Sequence, residues 1–343
     1  MLIKDLGEER LIKYLSKRFT QRHPRLIKAI GDDASVTVQR GGWALLSTTD
    51  VLIEGVHFKK GRTPAYLLGK KALAISLSDI AAMGGNPLFY LVSIAVPPDT
   101  PVRFLTDVYR GMYERAKKCG AFLAGGNTAR LPGRIVIETT VIGEAQKNRV
   151  VYRAGAKKGD MIFLTGAAGD SALGLLELKR RDKGALKGPF KKLALRHLDP
   201  EPRLEAGAAL GAQGLISSMI DVSDGVLLDL KRLCAASGVS AAIDIACLPI
   251  SKEFKRYEAQ RRRSFATLAL IGGEDYELLF TARPENEARV MRAASGLKLR
   301  ITKIGAITGG PRTRVKVFGA DGKAVKTKSS GYLHFRPPLR AMT

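Results

Sequence analysis

Cysteine is scarce in this chain, with three in 343 residues, at Cys119, Cys234 and Cys247. Their wide spacing forms neither a zinc-ligand pattern nor a disulfide framework. No run approaches the roughly eighteen uninterrupted apolar residues of a membrane-spanning helix. The opening MLIKDLGEERLIKYLSKRF is charged throughout and lacks the apolar core of a secretion signal. These absences lead to the expectation of a cytoplasmic protein without a membrane partner. Acidic residues are also the minority, 32 against 57 lysines and arginines, for a formal net charge of +25.

Catalytic signatures are missing too. There is no Gly-x-x-x-x-Gly-Lys-Ser/Thr loop, no Gly-x-Gly-x-x-Gly, no Gly-x-Ser-x-Gly, and no protein-kinase His-Arg-Asp or Asp-Phe-Gly. The four histidines (His23, His57, His197, His334) lack metalloprotease spacing. The excess of base is dispersed, with runs at 177–192, 255–263 and 312–317, and no nucleic-acid-binding signature accompanies it. A solvated basic surface is therefore preferred to a nucleic-acid stripe.

What is present is an α/β chain long enough for two domains. Residues 43–58 read as two strands around a polar bend, and 64–85 as a helix ending at a glycine pair. FYLVSIAVP reads as a strand, and the amphipathic 102–120 as a helix closed by Gly120. Strands follow at 121–127 and 133–145, then a polar hinge near 147–158. In the second half, 218–238 reads as strand, acidic turn and helix, and 266–282 as two strands around a glycine turn. The glycine loop GAAGDSALG at 166–174 could cradle a phosphate or pack strand against helix.

Five segments place acids beside hydroxyls or glycine: IGDDASV (30–36), STTDVLIEGVHF (47–58), SLSDIAAMGG (76–85), IDVSDGVLLDL (220–230) and IGGEDYELLF (271–280). An aspartate at such a place commonly caps a helix or closes a turn. Five in a basic chain suit another purpose. Hard oxygen ligands drawn from several loops are what Mg²⁺ binds, and substrate phosphates commonly complete its shell. Without a nucleophile–base pair, phosphoryl transfer is the chemistry that metals and positioning can support.

The motifs GDDAS, TTDVLIEGVHF, KALAISLSDIAAMGGNP, GGNTAR, DVSDGVLLDL, GGEDYEL and GYLHF occur in this order over about residues 5–337. In these the chain resembles the thiamine-monophosphate kinase family of the aminoimidazole-ribonucleotide-synthetase-like ATP-binding superfamily. The resemblance implies a two-domain PurM-like α/β fold with mixed sheets. Residues 1–150 would form an ATP/Mg-binding and dimerising domain, and 151–343 a second α/β domain. It implies phosphorylation of thiamine monophosphate by ATP in a homodimer, with several Mg²⁺ ions.

Carried over by position, the resemblance assigns Asp33, Thr48, Thr49, Asp50, Asp79, Asp221 and Asp224 to metal. Tyr109, Gly126, Asn127, Arg153 and Ser223 go to ATP, and His57, Glu274 and Tyr332 to thiamine monophosphate. Asn127 stands where many members carry Asp, and Tyr332 where Trp is frequent. Apolar strands around 88–97 and 134–142 are expected to pair across the twofold axis. Two alternatives remain open: another ATP-using enzyme of the superfamily, and a basic nucleic-acid-binding protein.

Overall fold

The structure is a computed structural model describing residues 3–180, 190–310, 313–319, 321–327 and 329–335. Residues 181–189 of the first basic run, Arg312 of the third and the segment 336–343 lie outside the described residues. The chain begins with α1 (Ile3–Leu6), α2 (Glu8–Phe19), β1 (Leu26–Lys28), β2 (Ser35–Val38) and β3 (Trp43–Ile53). It continues through α3 (Ala65–Ala82), β4 (Asn86–Val96), α4 (Val102–Cys119), β5 (Phe122–Arg130) and β6 (Val136–Gln146). These six strands form a mixed sheet ordered β1-β2-β3-β6-β4-β5, in which only the β4–β5 pair is parallel.

The second domain begins with β7 (Met161–Thr165), α5 (Asp170–Arg180), α6 (Lys191–Leu198), α7 (Leu204–Ala212), β8 (Ser218–Asp221) and α8 (Val226–Ser237). It ends with β9 (Ser240–Asp244), α9 (Lys252–Arg261), α10 (Ala266–Ile271), β10 (Leu278–Ala282), α11 (Glu287–Gly296), β11 (Ile301–Thr308) and β12 (Val315–Phe318). Its sheet runs β12-β9-β11-β7-β10-β8. Each sheet has its own apolar core, and a third cluster joins Ala81 and Ala82 of α3 to Phe163, Leu210 and Phe280 of the second domain.

Helix α3 is the pivot. Thirteen of its eighteen residues are buried, Lys71, Ser76 and Ser78 among them, as expected of a largely apolar helix packed on several sides. It packs tightly on α4 because glycine faces backbone on both: a Cβ on Gly69 would lie 1.9 Å from the Val108 carbonyl oxygen, and one on Gly111 2.0 Å from that of Tyr66. Among the described residues no helix is long and apolar enough to cross a membrane, and all three cysteines are free.

Three expectations need correcting. Residues 43–53 form one strand, because β3 pairs with β6 along its whole length and keeps the polar Ser47–Asp50 stretch in register. The segment ATLALI is helix α10, with the Gly272 N–H closing on the Leu268 carbonyl; a short apolar run fits helix or strand equally, and tertiary packing decides. Strands β4 and β6 are interior, so neither has an edge free to pair across a twofold axis. The free long edge is β5, every residue of which is exposed.

Candidate functional site

The carboxylates converge where α3 meets the second sheet. Strand alternation turns Thr48 and Asp50 toward α3, where Thr48 Oγ1 donates to Asp79 Oδ2 at 2.5 Å and Ser76 Oγ donates to Asp50 Oδ2 at 3.0 Å. From the same helix Ser78 Oγ donates across the seam to Asp221 Oδ2 at 2.7 Å, at the end of β8. Asp33, from the turn after β1, completes the group: Asp33, Asp79 and Asp221 each offer one oxygen within 4.8 Å of the others. Arg153 holds Asp33 Oδ1 through Nη2 at 2.6 Å and Nε at 3.2 Å, and its backbone N–H donates to Asp32 Oδ1 at 3.0 Å.

These acids are not exposed turns. Asp33 and Asp221 are buried and Asp50 and Asp79 half-buried. Asp50 lies within a strand and Asp79 near the end of a helix. Burial pushes the Asp50 carboxyl up to about 6 despite the Ser76 hydroxyl. Burial and the neighbouring carboxylates raise Asp79 and Asp221 well above the usual range. Asp33 is raised mainly by burial, against the pull of Arg153. Its buried Oδ2 has no hydrogen-bond partner among the described residues. Clustered carboxylates of separate elements, one with an orphaned oxygen, suit a hard divalent cation such as Mg²⁺. The donor set fits.

A second group lies on the same seam. His57 accepts the Ile53 N–H at Nδ1 (3.0 Å), and its ring meets His334 edge-on at 5.2 Å; His334 in turn meets Tyr332 at 5.1 Å. Burial and His334 lower the His57 pKa. The Tyr332 N–H donates to the Asp224 carbonyl at 3.0 Å, and the Ser223 carbonyl accepts the Glu274 N–H at 2.7 Å, so GYLHF, DVSDG and GGEDYEL meet here. Lys71 lies 2.8 Å and His197 3.1 Å from the Glu274 carboxylate. Burial works against that charge, yet these two neighbours hold the carboxyl far below its ordinary value.

Other candidates sit apart. The Thr49 side chain points to the opposite face of the sheet and bonds Glu138 at 2.9 Å and Thr140 at 3.1 Å, so its hydroxyl does not join the carboxylates. Asp224 is outside the trio and pairs with Arg232 Nη1 at 2.6 Å. Gly126 and Asn127 lie on β5 opposite Val92 and Ser93. A Cβ on Gly126 would sit 2.0 Å from the Val92 carbonyl oxygen, which explains the glycine by packing. Tyr109 lines a groove of about 990 Å³ with Tyr90, Leu105, Tyr113, Phe122 and Leu123. The glycine loop is closed to phosphate, because Asp275 accepts the N–H groups of Gly169 (2.6 Å) and Ser171 (3.0 Å).

Sequence reasoning missed Ser76, Ser78, Lys71, His197 and Arg232. A signal existed for three of them, since Lys71, Ser76 and Ser78 interrupt an otherwise apolar helix, where polar side chains require partners.

The chain matches the family model of the AIR synthase related protein N-terminal domain over residues 31–145 and that of the C-terminal domain over 157–318. It is 35% identical over 334 residues to the thiamine-monophosphate kinase of Bacillus subtilis (strain 168), covering 96% of this chain and 100% of that one. It is also 35% identical over 332 residues to that of Escherichia coli (strain K12), covering 97% and 99%. The solved structure of AaThiL complexed with AMPPCP and TMP superposes with a TM-score of 0.84 at 33% identity, covering 97% of this chain and 99% of that one. With both domains matched and the likeness running the length of the chain, the protein belongs to the thiamine-monophosphate kinase family of AIR synthase related proteins.

Proposed function

We propose that this chain transfers the γ-phosphoryl group of ATP directly to the phosphate of thiamine monophosphate, giving ADP and thiamine diphosphate. The observation that carries the reading is the convergence of Asp33, Asp79 and Asp221, with Asp50 beside them, on a seam that also gathers His57, Tyr332 and Glu274. The acceptor phosphate is largely a dianion at neutral pH, its second pKa lying near about 6. Its oxygen attacks without losing a proton, so no side-chain base is required. The bond from γ-phosphorus to the ADP oxygen breaks as the bond to the acceptor oxygen forms.

Asp33, Asp50, Asp79 and Asp221 would hold Mg²⁺, which when bound cancels the repulsion between the two phosphate chains. Thr48, Ser76 and Ser78 keep three of these carboxylates in place. Arg153 steadies Asp33 and, as a permanent cation at the same point, is suited to nucleotide phosphate oxygens. We assign Tyr109, Gly126, Asn127 and Ser223 to the nucleotide, and His57, Tyr332 and Glu274 to the thiamine end. Asp224 enters the metal set only if Arg232 gives it up.

A homodimer in the cytoplasm is the setting we propose, with residues 1–150 as the dimerising domain. The exposed edge strand β5, with the exposed Phe122 and Leu123 at its start and Phe89 on the neighbouring β4, supports that surface, since an unpaired edge flanked by apolar side chains invites a partner. Direct transfer is tested with ATP chirally labelled at the γ-phosphorus. A single inversion is expected; net retention, or a phosphoenzyme formed as fast as turnover, would exclude it.

A further inference from the structure

The Glu274 turn is strained and fixed from several sides. Its φ is +65° and that of Tyr276 is +50°, left-handed conformations that residues with a side chain seldom adopt. The Glu274 N–H donates to the Ser223 carbonyl at 2.7 Å and the Tyr276 N–H to the Val222 carbonyl at 2.9 Å. Asp275 locks onto the start of α5, and the Tyr276 ring is buried in the core of the first domain. Strained backbone clusters at functional sites, and here it fixes where the Glu274 side chain points.

The Glu274 side chain is held as firmly, by Lys71 from the first domain and by His197 from its own. Lys71 of α3 places Nζ 2.8 Å from Oε1; its side chain is 3% exposed and that of Glu274 25%. His197 of α6 lies 3.1 Å from Oε2 through Nδ1, while its Nε2 faces Lys71 Nζ at 3.5 Å. The neutral ring with its proton on Nδ1 satisfies both contacts, donating to the carboxylate and accepting from the ammonium. Burial and Lys71 lower the His197 pKa, which favours that form. An ammonium on a buried apolar helix is costly unless paired, and Glu274 is the anion that pairs it.

We infer that Lys71, with His197 behind it, is a positioning residue for the acceptor, clamping Glu274 across the domain seam in the orientation that meets the thiamine end of the substrate. The inference rests on the proposed acceptor role of Glu274. An ion pair that served stability alone would leave substrate affinity unchanged when broken. A clamp acting through Glu274 alters affinity for one substrate only.

The test compares wild type, Lys71→Met, Glu274→Ala and the double variant by steady-state kinetics with ATP, Mg²⁺ and thiamine monophosphate, and by thermal unfolding. Lys71→Met should raise the KM for thiamine monophosphate about tenfold or more, leaving the KM for ATP within about twofold and kcat within about threefold. The double variant should be no worse in that KM than Glu274→Ala alone, since both act through one group. Glu274→Ala, which strands a buried ammonium, should lower Tm more than Lys71→Met, which leaves a partly exposed carboxylate to water. If Lys71→Met does not fold, Lys71→Gln takes its place, with the same KM split expected. An unchanged acceptor KM in the Lys71 variant, or equal rises in both KM values, would overturn the inference while leaving the kinase reading intact. Wild type that produces no ADP with thiamine monophosphate would overturn both.

Discussion

Replacing Asp221 by Asn should stabilise the metal-free protein and remove most of what Mg²⁺ adds to it. Two full charges within 4.8 Å of each other repel by about 3.5 kcal/mol or more at an effective dielectric of about 20. Three ionised carboxylates in that arrangement would cost about 10 kcal/mol, as much as a whole domain's stability. The metal-free protein avoids this by retaining protons, in keeping with the raised pKa values of Asp33, Asp79 and Asp221. Asparagine removes the two repulsions that involve residue 221 while keeping an oxygen to accept the Ser78 hydroxyl. Because proton uptake already relieves part of that repulsion in the metal-free protein, the gain is set at about one pair, roughly 3 kcal/mol, or a few degrees in Tm. Saturating Mg²⁺ at a hundred times its Kd should stabilise wild type by about 2.7 kcal/mol and the variant by clearly less. Thermal unfolding at pH 7.5 in EDTA and in Mg²⁺ reads both. A variant less stable than wild type in EDTA, or one that gains as much from Mg²⁺, would refute the reasoning.

Asp50→Asn should cost about three decades or more in kcat with an unchanged circular dichroism spectrum, because it keeps the Ser76 hydrogen bond and loses only the charge; near-normal turnover would remove Asp50 from the site. Asp50, raised to about 6, and Asp229, raised to about 7, both chiefly by burial, bind protons in the folded state that the unfolded chain has already released. Their contribution is complete below about pH 4 and lost as pH rises through 6 and 7, so the Tm of metal-free protein should fall between pH 5 and 8. A Tm that rises over that range would contradict the burial of these groups. Phe122→Lys on the exposed edge strand should shift the mass measured by light scattering from dimer to monomer, and an unaltered dimer would place the interface elsewhere.

Much of this was legible in the sequence, for identifiable reasons. Glycine at 120 and the apolar repeat of 102–119 marked α4, because a left-handed C-cap and a one-sided helix leave local traces. The polar stretch at 47–50 was misread as a bend because its strand pairing partner lies ninety residues away in β6. The acids were visible as a pattern but their burial was not, since the seam that buries them joins elements from both domains. The Thr49 hydroxyl could be excluded only once strand alternation fixed which side chains face α3. Lys71 carried a signal in its apolar surroundings and Glu274 one in its acidic turn, but nothing local linked two residues so far apart in the chain.

The most direct measurement is the identity of the product. The protein is incubated with ATP, Mg²⁺ and thiamine monophosphate and followed by ³¹P NMR, with thiamine and a nucleoside monophosphate as parallel acceptors. Thiamine diphosphate and ADP are expected in equal amounts from thiamine monophosphate, with no ADP above background from the other two. ADP formed at the same rate without thiamine monophosphate, or ATP left intact in its presence, would contradict the kinase reading.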